Sequence, residues 1–282
     1  MNASASAPRS CWLHELRWPE IAAYLEREDM VLVPIGATEQ HGRHLPLLVD
    51  TGWAIAASEG AARKSGVLAA PPLHFGWSPH HMGYPGTITL QADTLRRVAI
   101  DVAESLITHG FRRIVFVNGN RIANLPPLEI AAVEIKNRTG AYVGIADTGL
   151  IAKREIKAMC EAEDGGLDHA GEVETSFALF WSPSHVAIGE ARPRQRPADV
   201  KPRSRFGWTI ELDPDLTGNS VSFVVSPDEY RRDTAPDGTR SDPASATAEK
   251  GERILQAIVD NLVAYLDEVR SAEVGNVRRP PL

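Results

Sequence analysis

Glu39, His41 and Asp50 fall close together in the segment "GATEQHGRHLPLLVD", directly after an apolar run. Two carboxylates and an imidazole are donors that suit a divalent cation. Oxygen and nitrogen ligands without thiolates favour zinc, manganese or a related ion, bound at about 2.0–2.2 Å in the case of zinc. Such an ion polarises a carbonyl and lowers the pKa of a water from about 15.7 to near 7. The reaction class this predicts is hydrolysis.

The elements that must position these residues read as an alternation of strands and helices. "MVLVPIG" (30–36), "VLAAPPL" (67–73), "RIVFVNG" (113–119) and "AYVGIAD" (141–147) are short apolar runs of the kind buried on both faces of a sheet. Between them, 51–65 reads as a helix with Thr51 as a candidate cap. A second helix opens at Asp93 or Thr94, carries Leu95, Val98, Val102 and Leu106 on one face, and stops at Gly110. A third, 125–140, has prolines at its start and glycine at its end. This order predicts a parallel sheet covered by helices on both faces. The stretch 191–243 is rich in Pro, Arg, Asp and Ser, and "SVSFVVS" (220–226) is its one strand-like run. The last helix, 244–270, spaces Ile254, Ile258, Leu262 and Leu266 for packing on the core.

In an open parallel sheet, ligands bind beyond the carboxyl ends of the strands. Glu39 and His41 follow the first strand; His74, His80 and His81 follow the second; Asn118 and Asn120 follow the third. His169 and Glu172, in "DHAGEVETS", come after the fourth. Glu172 is expected to share a helix face with His169 three residues earlier, which leaves Glu174 to point elsewhere and brace the fold. His14, His44, His109 and His185 read as structural. "VNGNRIAN" has one glycine at a strand–helix junction and no Lys-Ser/Thr, so it is not a phosphate loop.

The 282-residue chain is 43% hydrophobic and 24% charged, with a formal net charge of −7. That balance argues against a nucleic-acid footprint or a basic membrane-binding patch. Cys11 and Cys160 form no metal-type pair and suggest a reducing compartment. No apolar run has the length of a membrane span or a signal core. The expectation is a cytoplasmic protein with residues 1–10 disordered and one domain over 11–282.

These segments resemble the creatininase (creatinine amidohydrolase) family from about Trp18 to the last helix. "PIGATEQHGRHLPLLVD" is similar to the family's metal motif, in which the positions of Glu39, His41 and Asp50 are ligands. "HHMGYPGTITL" (80–90), "HAGEVETS" (169–176) and "GTRSDPASATAEKG" (238–251) look like three further family segments. The resemblance implies a three-layer α/β/α fold, a homohexamer, one or two divalent ions per chain, and hydrolysis of C–N bonds in small cyclic or formylated amides. It also implies peptide-cleaving members and members acting on oxidised cyclitols. Asp50's counterpart bridges two metals, and His169's counterpart acts near the reacting bond.

The chain departs from the family at "NGNRIAN", where "NGHGGN" or a close variant is usual. Asn120 replaces a metal-binding histidine, and Arg121 and Ile122 replace glycines. The expected metal ligands are Glu39, His41, Asp50 and, as the substitute donor, Glu172. The ion is Zn or Mn, or Fe. His169 and Glu172 are the expected catalytic residues, and His81, Trp77, Asn120 and Arg121 the expected substrate contacts. The substrate is a non-peptide small molecule cleaved at an amide, lactam or formamide bond, with no nucleic-acid or membrane partner. The alternatives are hydrolysis of an oxidised cyclitol or sugar, and a binding member altered in catalysis.

Overall fold

The computed structural model describes residues 8–162, 166–192, 207–208, 220–221, 225–234 and 237–280. Residues 1–7 of the N-terminal stretch and most of 193–224 lie outside them. Arg9 is placed, with Nε donating to Glu20 Oε1 at 3.2 Å.

The elements run α1 (Trp18–Leu25), β1 (Met30–Ile35), α2 (Val49–Ser65), β2 (Leu68–Ala69), α3 (Ala92–His109), β3 (Arg113–Asn118), α4 (Arg121–Thr139) and β4 (Tyr142–Asp147). They continue with α5 (Lys153–Met159), α6 (Glu172–Trp181), β5 (Gly207–Trp208), β6 (Ser220–Val221), α7 (Pro227–Asp233) and α8 (Ala248–Ser271). The central sheet has the order β2-β1-β3-β4, and every pairing in it is parallel. Each connection between its strands is a crossover that lays a helix on one face or the other.

Period-two alternation along buried strands divides the core. Met30, Leu32, Val115 and Val117 pack with Trp53 of α2, Phe177 of α6 and Ile254, Ile258, Leu262 and Leu266 of α8. Val31, Val33, Ile114 and Phe116 pack with Leu95 and Ile107 of α3 and Leu128 and Ile135 of α4. The result is the three-layer α/β/α architecture. Each large aliphatic side chain fully removed from water contributes about 1.5–3 kcal/mol, so these two layers supply most of the drive to fold.

The last helix starts at Ala248 rather than 244, because Thr247 caps it, and three further boundaries differ from the sequence reading for local reasons. Helix α2 starts at Val49, and Thr51 lies inside it, with Oγ1 donating to the Ala37 carbonyl at 3.0 Å. Helix α4 starts at Arg121 because Asn120 caps it, so Pro126 and Pro127 fall within the helix. Strand β2 stops after Ala69, since Pro71 and Pro72 carry no N–H for a ladder. The chain rejoins the sheet at Leu73, whose N–H donates to Pro34 O at 3.0 Å. No helix among the described residues is long and apolar enough to cross a membrane.

Candidate metal centre

The carboxyl ends of β1 and β3 and the first turn of α2 converge on one cavity of about 320 Å³. Their approach is close: a Cβ at Gly119 would lie 1.9 Å from the Asp50 carbonyl oxygen, so only glycine lets the β3–α4 turn reach α2. Asp50 sits in the first turn of α2, where a negative side chain is favoured by the helix dipole.

Glu39, His41 and Asp50 are all buried, and their ligand atoms lie within 4.8 Å of one another. His41 Nδ1 is 3.1 Å from the Glu39 carbonyl, which can only accept, so Nδ1 carries a proton. That turns Nε2 toward Asp50 Oδ1 at 3.3 Å and Glu174 Oε2 at 3.6 Å. Burial works against the charged form of His41, but Asp50 and Glu174 outweigh it and push the imidazole up to about 10. Burial and the neighbouring Asp50 hold the Glu39 carboxyl well above the usual carboxylate range, and burial raises Glu174 as well. Three crowded carboxylates and one imidazole nitrogen without a hydrogen-bond partner among the described residues are a donor set that fits a divalent cation.

Two further groups overlap this one: His41, His169 and Glu174, and Glu39, His81 and His169. His169 Nε2 lies 2.6 Å from the Gln40 carbonyl and 2.9 Å from the Gln40 side-chain nitrogen; the shorter contact, to a group that can only accept, favours a proton on Nε2 and leaves Nδ1 as the lone-pair nitrogen, 3.8 Å from Glu39 Oε1. The Gln40 side-chain amide donates from Nε2 to His81 Nδ1 at 2.7 Å. Neutral His81 therefore carries its proton on Nε2, aimed at Glu39 Oε1 at 3.2 Å. Burial, reinforced by neighbouring imidazoles, lowers both His81 and His169 well below the usual histidine range. In that state His81 is a donor that orients Glu39, and His169 is a neutral base.

Glu172 is a correction to the sequence reading. It is fully buried away from the cluster, ion-paired with Lys250 and accepting from the backbone N–H groups of Glu161 and Ala162. The expected three-residue spacing from His169 fails because α6 begins only at Glu172. His169 lies in a turn before it, and Ala170 adopts φ +55°. The glutamate that reaches the cluster is Glu174, two residues on. Its Oε2 also accepts from Ala170 N at 2.6 Å. The two glutamates of "GEVE" were distinguishable only with the helix start known.

Asn120 is buried and its polar groups are engaged. Nδ2 donates to Glu39 Oε2 at 2.7 Å and to Asp50 Oδ2 at 2.9 Å, while Oδ1 accepts from Ala123 N at 3.3 Å to cap α4. Trp77 and His81 line the cavity, as does Arg121, whose Nη2 donates to Leu167 O at 3.1 Å. Asp168 before His169 is paired with Arg240 at 2.9 Å. The sequence reading passed over Gln40 and Tyr230; Gln40 could have been noticed from its place between two ligand candidates. His44 is buried, bonded through Nε2 to Thr175 Oγ1 at 2.9 Å, and burial lowers it to about 4.

The family model for creatininase, described as creatinine amidohydrolase, matches residues 14–266. A mycofactocin precursor peptide peptidase from Mycobacterium ulcerans (strain Agy99) is 32% identical over 250 residues, covering 84% of each chain. A creatinine amidohydrolase from Pseudomonas putida is 28% identical over 277 residues, covering 92% of this chain and 97% of the relative. A 3-dehydro-scyllo-inosose hydrolase from Thermotoga maritima is 25% identical, over 93% of this chain and 84% of the relative. Among solved structures, a mutant creatininase of Zn–Zn type superposes with a TM-score of 0.72 and a Mn creatininase with 0.73. Each is 25% identical and covers 93% of this chain and 99% of the neighbour.

Proposed function

The chain belongs to the creatininase family, and from that premise we propose that it is a metal-dependent hydrolase cleaving an amide, lactam or formamide C–N bond in a small molecule. The observation that carries this reading is His41 Nε2, fully buried, without a hydrogen-bond partner among the described residues and facing the carboxylates of Asp50 and Glu174. Glu39, His41, Asp50 and Glu174 would hold the ion. When bound there, a divalent cation supplies a Lewis acid for the carbonyl and favours hydroxide near neutral pH.

The chain's own residues do the rest. His81 donates to Glu39 and fixes its carboxylate. His169 Nδ1, neutral and facing the cluster, accepts a proton from the attacking water and returns it to the departing nitrogen. Water oxygen bonds to the carbonyl carbon, the C–N bond breaks, and the products are a carboxylic acid and an amine. Trp77 offers an apolar wall, and Arg121 a cation for a polar end of the substrate. The homohexamer and the cytoplasmic setting belong to the same proposal. Exposed Ile130 and Val133, one turn apart on α4, support a subunit contact.

A second reading, cleavage of a peptide bond, is favoured by the mycobacterial relative, a peptide peptidase. The test is turnover by metal-stripped and Zn- or Mn-loaded protein on lactams, formamides, N-acyl amino acids, short peptides and keto-cyclitols. Metal-restored cleavage of a non-peptide C–N bond is the expected result. Cleavage of peptides alone would establish the second reading, and cleavage of keto-cyclitols alone, or of nothing, would overturn both.

A further inference from the structure

Two phenols are buried in this chain and they differ in one respect. Tyr24 Oη donates to Met30 O at 2.7 Å and accepts from Leu68 N at 3.2 Å. Tyr230, 2% exposed, has a buried Oη with no hydrogen-bond partner among the described residues. A buried hydroxyl left unpaired destabilises the fold, and phenylalanine would fill the same shape without that cost.

Tyr230 belongs to the candidate metal centre. It lines the same cavity as Glu39, Asp50, His169 and Glu174. Its ring stands edge-on to His81 at 4.6 Å and to His169 at 6.3 Å. Arg240 lies over the ring at 5.7 Å, and its backbone N–H donates to His169 O at 2.9 Å. The backbone of Tyr230 is held as well. Ser226 and Glu229 form a capping box at the start of α7, and Thr234 Oγ1 donates to Tyr230 O at 2.8 Å while bonded to Tyr84 Oη at 3.0 Å.

We propose that Tyr230 is a further catalytic residue of this site, its Oη–H donating a hydrogen bond to the substrate carbonyl oxygen as negative charge develops on it. The assignment rests on the hydrolase reading. No proton leaves the phenol: Oη–H stays a donor while water adds to the carbon and the C–N bond breaks. Burial pushes the phenol well above the usual tyrosine range, so it is protonated throughout the neutral region. A hydrogen bond donated where charge appears is worth more in the transition state than in the ground state, so the effect belongs in kcat rather than KM.

Tyr230→Phe tests this with three readouts. Metal content should be unchanged and Tm equal to or above that of the unaltered protein, since the variant removes an unpaired polar group. On any substrate the protein cleaves, kcat should fall about a hundredfold with KM within about threefold. Methylphosphonate, a tetrahedral anion, should bind the Zn-loaded variant about tenfold more weakly by calorimetry. Unchanged kcat, equal methylphosphonate affinity, or a Tm lowered by several degrees would each overturn the assignment. Absence of turnover by the unaltered protein would sink the hydrolase reading instead, and the calorimetry would still decide whether Tyr230 contacts a bound oxyanion.

Discussion

His41 Nε2 and Asp50 Oδ1 face each other at 3.3 Å, both groups buried, with Asp50 in the wall of the cavity. Without a cation between them, the imidazole keeps a proton, being raised to about 10 by Asp50 and Glu174 against the effect of burial. Zn binding at pH 7.5 should therefore expel about one proton per ion. Calorimetry in phosphate and in Tris reads it from the difference in apparent enthalpy. The sign for stability follows from the same shift. A histidine raised in the folded state stabilises fully below its unfolded value of about 6.5, and that contribution is lost as pH rises through 10. Metal-free protein should lose Tm between pH 7 and 10, and Asp50→Ala should weaken both this dependence and metal retention. Equal buffer enthalpies would show that His41 is already neutral.

Glu172 and Glu174 should separate cleanly by variant. Glu172 is fully buried against Lys250, itself 3% exposed. Glu172→Gln leaves the buried Lys250 ammonium with only the exposed Glu161 carboxylate, 3.5 Å away, as an ionic partner, and breaking comparable buried pairs costs about 3–5 kcal/mol. Glu174→Gln removes a carboxylate from the His41 cluster and should lower metal affinity with little loss of Tm. Chemical denaturation and metal content on both variants check this, and a Glu172→Gln protein of normal stability but low metal content would reverse the assignment.

The contrast between these two glutamates also shows where sequence reading stops. Met30–Ile35 is a continuous apolar run and Arg113–Asn118 encloses one, each followed by glycine, and that pattern carries strand identity, parallel pairing and the edge where ligand residues gather. The 3.6-residue spacing of Ile254, Ile258, Leu262 and Leu266 likewise places α8 on the core. Helix starts are less legible. Asn120 caps α4 through its side chain, and Ala170 turns the chain through positive φ before α6; neither leaves a periodic signal. A start misplaced by a residue or two rotates every side chain on that helix, which is how Glu172 and Glu174 exchanged places. Tyr230 lies beyond pattern altogether, because its relation to His81 and His169 is purely tertiary.

Asn120 sets the expected number of ions. Its amide hydrogens point at Glu39 Oε2 and Asp50 Oδ2, and its oxygen caps α4. It therefore offers these carboxylates donors where the related motif has an imidazole ligand. About one ion per chain should survive exhaustive dialysis, held by the His41 side of the cluster. Asn120→His should raise the second occupancy, because imidazole is a better donor than an amide for these metals. Elemental analysis decides it: two equivalents retained by the unaltered protein would show that Asn120 does not displace an ion.

Arg121 bears on which substrates fit. Its Nη2 donates to the Leu167 carbonyl at 3.1 Å, while Nε is buried without a partner among the described residues, in a side chain that lines the cavity. Gly149 leaves room for the guanidinium, since a Cβ there would sit 2.7 Å from Nη1. A fork held this way can present paired donors to a substrate carboxylate. The competing role is structural: Arg121 offsets buried Asp147, which burial raises to about 6 in spite of that guanidinium. The two roles differ in selectivity. With N-formylphenylalanine and its carboxamide as a matched pair, Arg121→Ala should raise KM for the acid about ten- to a hundredfold, the size of a lost hydrogen bond between charged groups of about 1.5–3 kcal/mol. The neutral carboxamide should change less than about twofold. A purely structural Arg121 would shift both substrates together and lower Tm, and that result would remove the anionic substrate from the reading.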